Sequence, residues 1–207
     1  MKLGIFGGTF DPVHNAHLFV AEAARAELGL ERMVFVPTRG THYRVAPIAT
    51  VEERLAMLRG SLASNPHFAL DETDLDDEAT GYTADLMPRL RARYPNDELT
   101  FVVGGDSLVE SPWQRFDAVL ANLERFAIAP RAERAPERVD EFLATLAEPE
   151  RAKFVVLDLP LQSGSATLVR AQLARGGSIR YLVPEFVYRY VEERGVYRSI
   201  VRNAHAG

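Results

Sequence analysis

Lys2-Leu3-Gly4-Ile5-Phe6-Gly7-Gly8-Thr9-Phe10-Asp11-Pro12-Val13-His14-Asn15-Ala16-His17-Leu18 is the stretch on which the fold turns. Residues 2–6 form a short apolar run that predicts a buried strand. A helix follows over about residues 13–28, with Leu18, Ala21, Ala24, Arg25 and Leu28 roughly at helical spacing and Gly29 as its stop. Between the two, Gly7 and Gly8 open a turn in which the backbone can approach a ligand with no Cβ in the way. The helix N-terminus just beyond offers free N–H groups and a partial positive charge, which together suit phosphate. His14 and His17 are three residues apart, so they share a face of the first turn, and each can donate a hydrogen bond to a phosphate oxygen. Metal ligation would use the same spacing, but no third ligand is apparent nearby and no metal site is expected.

Outward from this stretch, short apolar runs alternate with helical patterns. Strands are predicted at 32–36 (ended by Pro37), near 68–70, at 99–103 (ended by Gly104-Gly105), at 126–129 and at 154–157. Helices are predicted at 51–63, 83–94, 165–174 and 184–194, with Pro88 expected to disturb the middle of the second. Residues 131–151, charged and Ala-rich, read as a solvated helix with its approach loops. The alternation predicts an α/β fold, a mostly parallel sheet with helices on both faces, in one domain spanning 1–207.

Composition narrows the function classes. With 47% hydrophobic and 26% charged residues in 207, the chain reads as an ordinary soluble globular enzyme. A net charge of -5 argues against a broad nucleic-acid surface, although a few arginines and a helix N-terminus can still make a local phosphate pocket. The chain has no cysteine, which removes disulfides and thiolate metal sites and fits a reducing compartment. Neither a signal-peptide core at the N-terminus nor a membrane-length apolar run is seen, so a cytoplasmic protein without membrane partners is expected. A homo-oligomer stays open.

A second constellation lies late in the chain. Ser165-Ala166-Thr167-Leu168-Val169-Arg170 opens a helix, with Ser165 as its N-cap. Its hydroxyls and free N–H groups form an anion site that Arg170, one turn on, can reach with a planar guanidinium. Alone, the spacing could equally be a cap and a surface arginine. The first stretch is not the dehydrogenase fingerprint, since no third glycine follows at the Gly-x-Gly-x-x-Gly spacing.

Taken together, these motifs resemble those of the nucleotidyltransferase superfamily. Its ATP-binding motif usually ends His-x-Gly-His, and here Ala16 stands in place of that glycine, adding one methyl and keeping both histidines. The late segment is similar to the superfamily's Ile-Ser-(Ser/Ala)-Thr-x-x-Arg signature, with Gly164 in place of isoleucine. Over nearly the whole chain the sequence resembles the bacterial nicotinate-nucleotide adenylyltransferases, through Val34-Phe35-Val36-Pro37, Tyr82-Thr83, residues 101–108, Trp113 and residues 165–197.

That resemblance implies a Rossmann-like nucleotidyltransferase fold and an enzyme that joins ATP, carrying Mg²⁺, to nicotinate mononucleotide with release of pyrophosphate. It implies an ATP side made by Gly7, Gly8, Thr9, Phe10, His14, His17, Gly104, Asp106, Ser165, Thr167 and Arg170. Of these, His17, His14 and Arg170 would act in catalysis. Tyr82, Thr83 and Trp113 would surround the pyridine nucleotide. His42 and Arg44 are candidate phosphate contacts in Thr41-His42-Tyr43-Arg44, where relatives often show Pro-Pro-His-Lys/Arg. The readings from the residues themselves are broader: an acidic residue past a strand can bind a ribose hydroxyl pair, and an indole can stack on a flat ring. Phosphopantetheine adenylyltransferases and cytidylyltransferases are the nearest alternatives, and a nucleotide-binding regulator without turnover is one of a different class. Side chains alone do not separate nicotinate from nicotinamide.

Overall fold

Seven consecutive residues, Lys2–Gly8, form the first strand (β1), and its alternation sets the layers of the molecule. Leu3 and Ile5 enter one apolar cluster while Phe6 enters the other, as the period of two requires. A computed structural model describes residues 1–40, 45–130 and 136–198. After β1 come α1 (Asn15–Leu28), β2 (Arg32–Pro37), α2 (Val51–Leu62), β3 (Phe68–Leu70) and a 3₁₀ turn at Thr73–Leu75. Then follow α3 (Thr83–Arg93), β4 (Glu98–Gly104), α4 (Gly105–Glu110), α5 (Phe116–Ala121) and β5 (Arg125–Ala129). The last described elements are α6 (Pro136–Ala144), α7 (Glu148–Arg151), β6 (Phe154–Val156), α8 (Ala166–Ala174) and α9 (Glu185–Arg194).

The six strands pair in parallel in the order β3-β2-β1-β4-β5-β6. Chain order therefore reverses between β1 and β4, and their carboxyl ends open the crevice in which doubly wound sheets bind ligands. Helices cover both faces. Met33 and Phe35 cluster with Ala21, Ala24, Met57, Val169 and Val187 of α1, α2, α8 and α9. Val34 and Val36 cluster with Met87, Leu90, Leu108, Val119 and Val139 of α3, α4, α5 and α6. Gly4 makes room between layers, since a Cβ there would lie 2.1 Å from Met33 Sδ and 2.9 Å from Leu30 Cδ1.

Three expectations need correction. Gly7 and Gly8 belong to the ladder, opposite Val36 and Pro37, because β2 runs on alongside them; the turn starts at Thr9. Pro88 does not interrupt α3: it sits on the exposed face, while Met87 and Leu90 pin the helix to the sheet. Residues 136–151 are two helices, and α6 is not merely solvated. Its Val139 is buried, and Phe142 and Leu143 pack on the same cluster, an i, i+3, i+4 stripe that composition hid. Among the described residues, no helix is long and apolar enough to cross a membrane.

Candidate active site

At the reversal point a cleft of about 410 Å³ opens between the ends of β1 and β4 and the N-termini of α1 and α8. Gly7, Gly8, Thr9, Phe10, His14 and His17 line it from one side, Gly104 and Asp106 from the end of β4, and Ser165, Thr167 and Arg170 from α8. Every residue expected on the ATP side is thus gathered in one place, although the two motifs lie about 150 positions apart in the chain. A smaller recess of about 100 Å³ lies on the other side of the β1 end. Thr83 and Trp113 line it, with Thr38, Asp74, Phe101 and Ser107. Gly7, Gly8, Thr9, Val103 and Ser107 border both spaces, so the end of β1 is the partition between them.

The histidines are held in a defined state. His14 is the extended N-cap of α1 and is almost fully buried. The His17 Nδ1 accepts the His14 backbone N–H at 3.3 Å, which assigns the His17 proton to Nε2 and makes that atom a donor. The two imidazoles stack with centroids 3.6 Å apart, and Phe10 meets His17 edge-on at 5.0 Å, so neither ring turns freely. On α8, Ser165 Oγ accepts the Leu168 N–H at 3.1 Å and caps the helix. Arg170 is anchored as well: Nη1 donates to the Asp11 carbonyl at 2.6 Å and Nη2 to Thr167 Oγ1 at 3.4 Å.

Trp113 is half-buried and serves two surroundings. Its Nε1–H donates to the Leu108 carbonyl at 2.7 Å and its ring abuts Phe116 and Phe126, yet the indole also lines the smaller recess. Tyr82, in contrast, is the N-cap of α3 and does not line either space. His42 and Arg44 lie outside the described residues.

Three buried charged groups at the site escaped the sequence reading. Asp11 receives the N–H groups of Ile48 (2.9 Å) and Ala49 (3.1 Å) and the Tyr197 hydroxyl (2.8 Å), with Arg170 Nη1 3.8 Å from its other oxygen. Burial and the adjacent Asp11 carboxylate push the Tyr197 hydroxyl well above its usual range, so it stays a donor. Arg54, 1% exposed, donates to the carbonyls of Thr9 (2.6 Å), Thr38 (2.8 Å) and Arg39 (3.3 Å). Among the described residues it has no carboxylate within ion-pair distance, and burial lowers its pKa against the opposing pull of Asp11. It therefore places a cation beneath the Thr9 turn while fixing that turn to the loop after β2. Asp74 lines the smaller recess, and burial raises its carboxyl to about 6 although the Thr38 hydroxyl and Arg89 oppose the shift. Asp11 alone left a trace in the sequence, as part of the stiff Phe10-Asp11-Pro12 loop.

Residues 5–172 match the cytidylyltransferase-like family. A protein of Exiguobacterium sibiricum named "Probable nicotinate-nucleotide adenylyltransferase" is 35% identical over 96% of this chain and 100% of its own. A relative of the same name from Thermomicrobium roseum is 36% identical over 96% of this chain and 92% of its own. Among solved structures, the Plasmodium falciparum nicotinic acid mononucleotide adenylyltransferase complexed with NaAD superposes with a TM-score of 0.77. That likeness spans 95% of this chain and 97% of the other at 17% identity, and it speaks for the fold alone.

Asp74 provides a pH test. Its carboxyl is raised from 3.8 to about 6 on folding, so its contribution to stability is full below pH ~4 and is lost as pH rises through ~6. Asp74→Asn cannot ionise and keeps an acceptor for Thr38. Its urea midpoint is expected to rise relative to wild type between pH ~4 and ~7 and then to level off. A difference that stays flat over that range would show that the carboxyl is not desolvated.

Proposed function

The chain belongs to the nicotinate-nucleotide adenylyltransferases, within the cytidylyltransferase-like family, and from that premise we propose how its two recesses divide the reaction. The enzyme joins ATP to nicotinate mononucleotide, giving nicotinate adenine dinucleotide and pyrophosphate, a step of NAD synthesis. The observation that carries the division of labour is the shared partition: two spaces of unequal size meet at the backbone of Gly7, Gly8 and Thr9. ATP would take the larger cleft, with its Mg²⁺ carried on the phosphates and keeping much of its water. The pyridine ring would enter the smaller recess against Trp113 and Thr83, and the two phosphate ends would meet at the partition. A chain free of cysteine fits this work in the cytoplasm.

In the reaction a phosphate oxygen of the mononucleotide attacks the α-phosphorus of ATP in line. The new P–O bond forms as the bond to the β-bridging oxygen breaks, and pyrophosphate carries off the electron pair. The attacking oxygen is already anionic, so no covalent enzyme intermediate is required. What the protein must supply is positioning and a field for the charge that moves toward the leaving group. His17 Nε2–H would donate to the α-phosphate as its charge redistributes. The buried His14, Thr9 and the α1 N-terminus would hold the triphosphate, and Ser165, Thr167 and Arg170 the departing end. Gly104 at the end of β4 and Asp106 in α4 border the same cleft and would take the adenosine side.

The direct test is pyrophosphate release by purified protein with ATP, Mg²⁺ and one acceptor at a time. Nicotinate mononucleotide is expected to support turnover and phosphopantetheine to give none; turnover with phosphopantetheine alone would reassign the chain. His17→Ala is expected to lower kcat about 100-fold with a smaller change in the KM for ATP, because the lost donor acts mainly in the transition state. Unchanged turnover in a folded variant would remove His17 from the mechanism. For Trp113→Ala, the KM for the mononucleotide is expected to rise several-fold while that for ATP holds, since one aromatic contact is worth about 0.5–1.5 kcal/mol beyond its area. Equal losses for both substrates in a destabilised protein would make Trp113 a core residue only.

A further inference from the structure

Two positions that depart from the resembled motifs, Ala16 and Gly164, meet between the N-termini of α1 and α8, and Ala16 lines the larger cleft. Ala16 is the second residue of α1, lies between His14 and His17 and is 8% exposed. Gly164 immediately precedes Ser165, the N-cap of α8. A Cβ built on Gly164 would stand 3.0 Å from the Ala16 Cβ, closer than side-chain carbons ordinarily approach. Its next neighbours, the Ala16 backbone N and His14 Nδ1, would both be at 3.9 Å, an ordinary contact. The backbone at Gly164 is not left-handed, unlike that of Gly29, Gly81, Gly176 and Gly195, so conformational freedom does not demand glycine there. What crowds a side chain there is the single methyl of Ala16.

We infer that Ala16 and Gly164 are a compensating pair of positioning residues, one methyl group shared between two helix ends, that sets the spacing of the histidine and Ser/Thr/Arg halves of the ATP cleft. The resembled motifs have glycine at the first position and isoleucine at the second; here the bulk stands on the α1 side instead. Each change taken alone alters the gap, and together they leave it filled once. The contact matters because both anion-binding helix N-termini start within two residues of it, and their separation fixes which phosphate oxygens the two halves reach together. Among the described ties between the halves, the hydrogen bond from Arg170 to Asp11 is made by a side chain and can follow a small shift. Packed backbone cannot. This inference rests on the ATP cleft assigned above.

A double-mutant cycle tests it, with Gly164→Ala, Ala16→Gly and the combination compared with wild type. Two readouts are taken: the KM for ATP and kcat in the pyrophosphate assay, and the rise in melting temperature that ATP alone produces. Gly164→Ala pushes the halves apart by a few tenths of an ångström, and the KM for ATP is expected to rise about fivefold, with the ATP-induced melting shift reduced. Adding Ala16→Gly is expected to restore both toward wild type, so that the double variant beats the product of the singles by about threefold or more. Gly164→Ile, the larger residue of the resembled signature, should show the same rescue more strongly. If it folds only in the Ala16→Gly background, that result also supports the pair. Losses that simply multiply, a Gly164→Ala enzyme with wild-type KM, or a fall in melting temperature with no change in either ATP readout, would overturn it. Should no acceptor be turned over at all, the functional reading fails while the ATP melting shifts still decide the coupling.

Discussion

A buried carboxylate must find partners, and the mouth of this molecule is organised around one that does. Asp11 is 5% exposed and draws three segments onto its oxygens or its own carbonyl: the chain before α2 through Ile48 and Ala49, α8 through Arg170, and the stretch after α9 through Tyr197. An anion in that setting is costly unless its hydrogen bonds are filled, so the three segments and the Asp11 loop hold one another in place. Arg54 does the complementary work from below, with a cation satisfied by three carbonyls instead of by a counter-ion. Between them, these two side chains fix the loop that carries the first motif, and the histidines inherit that rigidity. The side chains that line the cleft therefore stand on a scaffold that is already set.

Legibility from sequence followed the range of the interactions. Periodicity is local, so each of the six strands could be read, as could the long helices α1, α2, α3, α8 and α9. The short helices α4 and α5, six residues each, are too brief for a periodic signal and were invisible. So was the packing of α6, whose apolar stripe is three side chains in a charged setting. At the site, the motif residues were legible because their chemistry is concentrated in short stretches. Asp11, Arg54 and Asp74 were not, because their partners are amides, carbonyls and hydroxyls of remote segments that carry no side-chain signature. Tyr82 differs from its neighbour in place: it holds the N-cap position of α3 and borders neither space, while Thr83, the next residue, lines the smaller recess.

The departures at positions 16 and 164 show the same limit from another side. Read singly, each is a small blemish in a motif. Their relation is a distance, 3.0 Å from a built Cβ, and no one-dimensional pattern contains it. Motif matching scores each position by itself, whereas packing scores pairs.

The partition between the two recesses has a consequence for how such a protein can diverge. At its centre stand Gly7 and Gly8, which bring no side chain to it, with Thr9, Val103 and Ser107 beside them. A Cβ at Gly7 would meet Phe101 at an ordinary 3.6 Å, but at Gly8 one would sit 3.1 Å from the Phe10 ring. The outer walls are built differently: Trp113, Thr83 and Asp74 border only the smaller space, and Gln162 and Pro130 only the larger. Change in what either space can accept is thereby channelled toward the outer walls, one wall at a time, while the seam at Gly8 offers the least room.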